Sequence, residues 1–170
     1  VSEMTIRRDL EVLADAGHLE RTFGGALAPE QTAFESSYLE RLQTHSPAKR
    51  AIARYAASLV QDGDTVALDA STTGLALAKE LARRRVTVVT NGLDCAQELR
   101  AGPAKVILTG GHLRQVAGSF AGPLALRTLG ELRLDCAFVS AKGVSARDGL
   151  MDSDLDEVAL KQGMIAAAER

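Results

Sequence analysis

A short run of hydroxyl side chains lies between an apolar segment and a helical segment of this chain. Residues 65–68 are apolar or β-branched and predict a buried strand, and residues 75–81 repeat leucine and alanine with helical spacing. The turn between them holds Ser71, Thr72 and Thr73. The first N–H groups of a helix lack intrahelical acceptors and lie at the positive end of its dipole. This turn therefore predicts an anion site, above all one for phosphate.

Asp69 ends the predicted strand beside the same turn. A carboxylate next to a phosphate is better suited to accept hydrogen bonds from ligand hydroxyl groups than to bind the phosphate itself. Together, the carboxylate and the turn predict a phosphorylated polyol or sugar as the ligand. A purely structural interpretation stays open, in which Ser or Thr caps the helix and Asp69 only ends the strand.

Polar residues and glycines also end the next two predicted strands. The second strand ends at Thr90 and Asn91, and the third ends at Gly110 and Gly111. Helices are predicted between the strands, so we expect an α/β fold with a mostly parallel sheet and helices on both faces. Ligands bind at the carboxyl ends of such strands. We therefore expect one pocket there, although Asn-Gly and Gly-Gly also form ordinary turns.

Two further helices are predicted from their start signals. Ser46 and Pro47 predict the N-cap and first turn of a helix that precedes the first strand. Ser153 predicts the N-cap of the last helix, on which we expect the chain to end without a further strand. The expected buried residues are Ile52, Ala56, Leu59 and Val60 in the earlier helix and Leu155, Val158, Gln162 and Ile165 in the last.

The composition fits a globular α/β domain with a small additional unit. The chain has 170 residues, of which 46% are hydrophobic and 25% are charged, so neither a disordered nor a fibrous protein is expected. The net charge of −2 gives no overall attraction to DNA, and any DNA contact requires a local patch. The cysteines are isolated, no metal-ligand spacing occurs and no apolar run could span a bilayer. We predict a cytoplasmic protein without membrane contact, metal or cofactor.

The first residues predict part of a small unit whose remaining helices are missing. Residues 2–16 form an amphipathic helix with Leu10 and Leu13 on its apolar face, and residues 18–27 form a two-stranded ribbon with a Gly-Gly turn. A helix this short needs partners, which we expect before Val1, so the chain is interpreted as a fragment. A solvent-exposed helix with ordinary surface charges is the alternative.

A family resemblance becomes specific in this segment. Residues 2–10 read Ser-Glu-Met-Thr-Ile-Arg-Arg-Asp-Leu, and the matching residues that follow are Leu13, Gly17, Leu19, Arg21, Gly24, Gly25 and Ala26. This pattern resembles the signature of the DeoR family of bacterial transcriptional regulators, with Phe23 where the family usually has histidine. The resemblance implies the recognition helix and wing of a winged helix-turn-helix that binds a double-stranded DNA operator. Thr5, Arg7 and Arg8 would then enter the major groove, and Arg21 would lie on the wing near phosphate.

The later part of the chain carries the same resemblance. Residues 69–73 resemble the family's Asp-Ser-Gly-Thr-Thr loop, with Ser71 where the family usually has glycine. The resemblance implies a fold similar to ribose-5-phosphate isomerases, glucosamine-6-phosphate deaminases and coenzyme A transferases, and a sugar phosphate or related metabolite as ligand. The other matching residues are Thr90, Asn91, Gly110, Gly111, Leu113, Arg114, Ser119, Gly122, Asp135, Phe138, Gly143, Gly149 and the helix over 156–161.

The resemblance implies a regulator, a repressor of carbohydrate metabolism, whose DNA affinity is set by a phosphorylated sugar. We expect residues 1–28 to belong to the DNA-binding domain, 29–45 to form a linker, 46–170 to form the sensor domain, and the protein to be a homo-oligomer. The expected effector site has phosphate on Ser71, Thr72 and Thr73, with Asn91, Gly110 and Gly111 completing the cradle, Lys142 and Lys161 supplying positive charge, and Asp69 and Glu157 contacting hydroxyls.

Two other function classes stay open. An isomerase or deaminase of sugar phosphates needs a general base and an electrophile. Asp69 and Glu157 are candidates, but residues 140–143 read Ser-Ala-Lys-Gly where an Asp-Gly-x-Asp-Glu cluster would be expected. We therefore predict that the protein is not an enzyme. The third class is a scaffold domain that binds neither ligand nor DNA.

Overall fold

The computed structural model describes residues 3–15, 19–22, 25–27 and 38–170. Residue contacts divide the chain into two units, 1–36 and 37–170. In the first unit, helix α1 (Glu3–Asp15) precedes strands β1 (Glu20–Thr22) and β2 (Gly25–Leu27). The strands are antiparallel, which confirms the predicted helix and ribbon. Ile6 and Leu13 of α1 remain about half exposed.

The second unit is built around a four-stranded parallel sheet. The strands are β3 (Thr65–Leu68), β4 (Thr87–Thr90), β5 (Lys105–Leu108), β6 (His112–Arg114), β7 (Ser119–Ala121), β8 (Cys136–Phe138), β9 (Gly143–Ser145) and β10 (Gly149–Met151). The helices are α2 (Tyr38–Gln43), α3 (Ser46–Ser58), α4 (Thr72–Leu81), α5 (Leu93–Leu99), α6 (Pro123–Gly130) and α7 (Leu155–Ala167). The sheet order is β5-β4-β3-β8, and its register aligns Leu68 of β3 with Thr90 of β4 and Phe138 of β8.

Each face of the sheet carries its own hydrophobic core. Val66 and Leu68 face helices α3, α4 and α5, whereas Ala67 and Val89 pack with α6 and α7. Side chains alternate between the two faces along a strand, so both faces of these apolar strands are covered. The predicted α/β fold is confirmed. Among the described residues, no helix has the length and apolar character needed to cross a bilayer.

Two antiparallel hairpins extend from this core. β6 pairs with β7, and β9 pairs with β10. Gly110 and Gly111, which lead into β6, have φ angles of 75° and 106°, a region that side chains disfavour. A Cβ atom on Gly111 would also lie 2.1 Å from the carbonyl oxygen of Ala121. Only glycine fits there without movement of the β7 backbone.

The predicted caps of α3 and α7 were wrong by one residue. The N-cap of α3 is His45 in the left-handed region (φ 53°), and the hydroxyl of Ser46 instead accepts a hydrogen bond from Arg50 (2.7 Å). The N-cap of α7 is Asp154, whose carboxylate accepts the N–H of Glu157 at 3.0 Å. Adjacent polar residues compete for a cap, and the sequence did not distinguish them.

The predicted buried face of α3 was partly wrong. Ala56 and Val60 are buried as expected, together with Ala53, but Ile52 and Leu59 are 55% and 43% exposed. The small alanine side chains let α3 approach α4 closely, which turns the larger residues outward.

The predicted face of α7 was wrong as well. Its buried side chains are Glu157, Leu160 and Met164, whereas Leu155 and Ile165 are 85% and 52% exposed. The chain also does not end on this helix. Residues 168–170 continue in parallel beside β8, with hydrogen bonds between Glu169 and Leu134 (3.0 Å) and between Ala137 and Arg170 (2.9 Å).

Candidate functional site

A cleft of about 430 Å³ opens at the carboxyl ends of β3 and β8, beside the N-terminus of α4. Its polar lining consists of Asp69, Ser71, Thr73 and Ser140. The opposite wall is apolar, so the cleft is suited to a ligand with one polar end and a carbon skeleton. The other lining residues are Ile52, Ala53, Ala56, Gly74, Leu77, Ala137, Phe138 and Val139.

The first turn of α4 forms the polar corner of the cleft. Ser71 is the N-cap, and its hydroxyl oxygen accepts the N–H of Gly74 at 2.8 Å. Ser71 therefore has the capping role that the structural interpretation gave it. The N–H groups of Thr72 and Thr73 have no intrahelical acceptor at this position of a helix, and the side chain of Thr73 lines the cleft.

The side chain of Thr72 takes another direction. It is buried, it contributes to a smaller groove beside α2, and its hydroxyl donates a hydrogen bond to the carbonyl oxygen of Arg41 at 3.4 Å. Of the three predicted hydroxyl groups, the structure brings those of Ser71 and Thr73 to the cleft.

Asp69 joins three segments at the floor of the cleft. Only 2% of its surface is exposed. Its Oδ1 accepts the N–H of Ser71 (3.2 Å), and its Oδ2 accepts both the N–H and the hydroxyl of Ser140 (2.7 Å each). Nζ of Lys161 lies 3.6 Å from the same Oδ2. The carboxylate is thus largely occupied by the protein itself, and the hydroxyl oxygen of Ser140 keeps lone pairs for the cleft.

Lys161 belongs to a compensated charge network behind Asp69. Its Nζ lies 2.5 Å from Oδ2 of Asp152, and Nζ of Lys142 lies 3.8 Å from the other oxygen of Asp152. Burial alone would raise the pKa of Asp152, but the hydrogen bond and charge of Lys161, the N–H of Ser153 and the charge of Lys142 hold that pKa below its usual range. The two lysines and two carboxylates balance each other.

Asn91 and Glu157 lie in a second, buried polar cluster. Glu157 accepts hydrogen bonds from the hydroxyl of Ser119, from Arg114 (2.9 Å) and from the Asn91 amide (3.4 Å). Arg114 also binds Asp154 at 2.8 Å. Oδ1 of Asn91 has no hydrogen-bond partner among the described residues. This cluster fastens the β6–β7 hairpin to α7, and its members do not contribute to the lining of the cleft.

The remaining predicted effector residues also lie outside the cleft lining. Thr90 is buried, and its hydroxyl accepts the N–H of Gly92 at 3.0 Å. Gly111 lies close to the carbonyl oxygen of Ala121 in β7, and Gly110 precedes it in the same turn. The structure therefore brings Asp69, Ser71 and Thr73 together, with Lys161 behind them.

The sequence did not predict the roles of Ser140 and Arg114, or that helix α3 would form the apolar wall of the cleft. Ser140 lies just beyond the end of β8, as Asp69 lies just beyond the end of β3, so its position near a strand end was the available signal. Arg114 matched the family pattern without being assigned a role. No signal predicted that the exposed Ile52 side of α3 would line the cleft, because periodicity assigned that residue to the core.

The predicted DNA-contacting residues lie in the first unit. Thr5, Arg7 and Arg8 are exposed on α1. Arg21 is part of β1, opposite Ala26, and its side chain lies outside the described residues. Within the described ranges, no group of three or more His, Cys, Asp or Glu could hold a metal ion.

Comparison with known proteins gives matches over both units. The profile of the "DeoR C terminal sensor domain" matches residues 44–170, and that of the "DeoR-like helix-turn-helix domain" matches residues 1–32. The chain is 42% identical to an uncharacterised HTH-type transcriptional regulator, YulB, of Bacillus subtilis (strain 168), over 100% of the chain and 66% of that protein. It is 36% identical to the lactose phosphotransferase system repressor of Staphylococcus aureus (strain N315), over 95% of the chain and 66% of that protein.

A third relative is the glycerol-3-phosphate regulon repressor of Haemophilus influenzae, which is 33% identical over 100% of the chain and 67% of that protein. The chain thus spans about two thirds of the length of each of these relatives.

Proposed function

Because the chain belongs to the DeoR family of bacterial transcriptional regulators, we propose that the protein binds operator DNA and represses genes of carbohydrate metabolism under the control of a phosphorylated sugar. The observation that carries this proposal is the cleft, where a helix N-terminus and hydroxyl groups lie next to a carboxylate. Relatives named for the lactose phosphotransferase system and for glycerol 3-phosphate support the choice of ligand class.

The phosphate would bind at the N-terminus of α4. The N–H groups of Thr72 and Thr73 and the hydroxyl of Thr73 would donate hydrogen bonds to it, and each charge-assisted bond stabilises the complex by about 1.5–3 kcal/mol. Lys161 would assist indirectly, because it compensates the charge of Asp69 that otherwise repels the anion. Lys142 in turn would hold Asp152 in place for Lys161.

The sugar would lie along the rest of the cleft. Its hydroxyl groups would donate to the oxygen of Ser140 and to the lone pairs of Asp69 that the protein leaves open. Its carbon atoms would pack on Ala53, Ala56 and Phe138. In this arrangement Asn91 and Glu157, with Thr90, Gly110 and Gly111, shape the edge of the sheet without touching the ligand.

DNA binding would use the exposed side of α1. Thr5, Arg7 and Arg8 would contact the major groove, and Arg21 would contact phosphate from the ribbon. Helix-turn-helix proteins bind paired half-sites as dimers, so we propose a homo-oligomer in the cytoplasm.

Thermal unfolding with a panel of sugar phosphates tests the ligand site. A ligand at one hundred times its Kd stabilises the folded state by about 2.7 kcal/mol. Thr73→Val removes one donor and should weaken binding by roughly 10–100-fold. Thr44→Val is the matched control, because the hydroxyl of Thr44 donates to the carbonyl oxygen of Glu40 and this residue is not part of the cleft lining. Equal stabilisation of the Thr73→Val and wild-type proteins would contradict the assigned phosphate position.

Operator gel shifts test the DNA contacts. Removal of Arg7 or Arg8 should weaken operator binding and, where the lost contact was to phosphate, reduce the dependence of affinity on salt. Unchanged shifts would refute the assignment of α1 as the recognition helix.

A sugar-phosphate isomerase or deaminase is the competing function. Asp69 is its candidate base, yet that carboxylate already accepts three hydrogen bonds within the protein. We therefore propose that the protein is not an enzyme. Turnover of ribose 5-phosphate or an amino-sugar phosphate that Asp69→Asn abolishes would overturn this part of the proposal.

A further inference from the structure

The two sides of the first turn of α4 serve different neighbours. Thr73 faces the cleft, whereas Thr72 faces α2 and donates its hydroxyl to the carbonyl oxygen of Arg41. The backbone N–H groups of both residues belong to the proposed phosphate site. One residue, Thr72, therefore lies between the effector position and another helix.

Every residue of helix α2 is at least partly exposed. A groove of about 250 Å³ lies between this helix and helices α3 and α4. The hydroxyl of Tyr38 is hydrogen-bonded to Asp94 of α5, and the carbonyl of Arg41 accepts from Lys49 and Thr72. An element with so little buried apolar surface opens locally at a low free-energy cost.

The weak attachment of α2 matters because this helix lies where the chain enters the second unit. The polypeptide passes from the first unit into the second through α2, because α2 begins at Tyr38 and the second unit begins at Ser37. Whether α2 is docked or detached therefore decides where the connecting chain enters the sensor domain.

We propose that the hydroxyl of Thr72 couples occupancy of the cleft to the docking of α2. The proposal rests on the proposed function, since it needs an anion at the N-terminus of α4. An anion that accepts the N–H groups of Thr72 and Thr73 fixes the first turn of the helix, and the fixed Thr72 then holds Arg41 and with it α2. In the docked state the bond from Thr72 to Arg41 already orders the first turn of α4, so the anion loses less conformational entropy on binding that state and shifts the population toward it.

Hydrogen exchange of the full chain, with and without inorganic phosphate, tests the coupling. In the wild-type protein, phosphate should slow exchange of residues 71–75 and, through Thr72, of residues 38–43 by about fivefold or more, the lower range of ordinary coupling. Thr72→Val keeps the backbone N–H but lacks the hydroxyl, so residues 71–75 should still be protected whereas residues 38–43 should not. Thr72→Ser restores the hydroxyl and should restore protection of α2.

The possible outcomes distinguish a failure of the coupling to α2 from a failure of the phosphate site. Protection of residues 71–75 without protection of residues 38–43 in the wild-type protein would overturn the coupling and leave the phosphate site standing. Equal protection of α2 in Thr72→Val and wild-type protein would overturn the role of this hydroxyl. No protection of either segment would overturn the phosphate site and the coupling together.

Discussion

Replacement of Lys161 by methionine tests the charge network behind the cleft. Methionine keeps much of the length of the side chain but removes the cation that lies 2.5 Å from Asp152 and 3.6 Å from Asp69. At 3.6 Å and an effective dielectric constant of about 20, one such attraction amounts to about 4–5 kcal/mol. Both carboxylates are less than one tenth exposed, and removal of one partner from a buried pair costs about 3–5 kcal/mol. We expect a loss of that size in the free energy of unfolding at pH 7.

The loss should depend on pH in a defined direction. In the wild-type protein the pKa of Asp152 is lowered, so its contribution to stability is present above the unfolded pKa of about 3.9 and is lost as the pH falls through the lower folded value. Without Lys161, burial remains and raises that pKa, so the folded variant takes up a proton at a higher pH than the unfolded chain. The difference between the variant and the wild-type protein should therefore be largest near neutrality and shrink in acid.

Urea unfolding at neutral pH and at about pH 4.5 measures both effects. Lys142→Met is the control, because Lys142 is more exposed and lies 3.8 Å from Asp152, which places its expected loss at about 1 kcal/mol or less. A Lys161→Met, Asp152→Asn double variant should recover part of the loss, since one uncompensated carboxylate is gone. Equal losses for the two lysine variants, or a loss independent of pH, would refute the reasoning.

Three further predictions concern the fold. Gly111→Ala should destabilise the protein by at least about 2 kcal/mol more than Gly110→Ala in urea unfolding, because both incur left-handed strain of about 1–2 kcal/mol but only Gly111 meets the Ala121 carbonyl; similar losses would contradict the close approach. Leu160→Ala should lower the free energy of unfolding by about 2–5 kcal/mol, whereas Leu155→Ala should change it by no more than about 0.5 kcal/mol. A larger loss for Leu155→Ala would mean that α7 buries its other face. Burial raises the pKa of Cys95 to about 12, so its thiol should resist alkylation at pH 8 until urea is added, and rapid labelling of the folded protein would disprove this.

The positions of the strands, and the alternation of strands with helices, could be predicted from the local sequence pattern. The apolar runs at 65–68 and 87–90 are each followed by a helix, which leaves a parallel sheet as the expected arrangement. The convergence of Asp69 and Ser71 at one edge follows from the same topology. These features depend on residues close together in sequence, and sequence patterns record them well.

The hydrogen-bond partners of individual polar side chains could not be predicted in the same way. Asp69 is paired with Ser140, which lies 71 residues later, and Thr72 is paired with Arg41, which lies 31 residues earlier. Such pairs depend on the final packing of the helices. The buried faces of α3 and α7 were missed for a related reason, because these helices carry apolar residues on several sides and periodicity alone could not choose among them.

The construction of the cleft from two separate helices has an evolutionary consequence. The anion end belongs to α4, whereas much of the apolar wall belongs to α3, where Ala53 and Ala56 contribute only methyl groups. Exchange of these methyl groups for larger side chains would narrow the space for the ligand skeleton and leave the α4 corner in place. A regulator of this design can thus diverge toward new metabolites through a few changes on one helix, while the chemistry that retains the charged group is inherited unchanged.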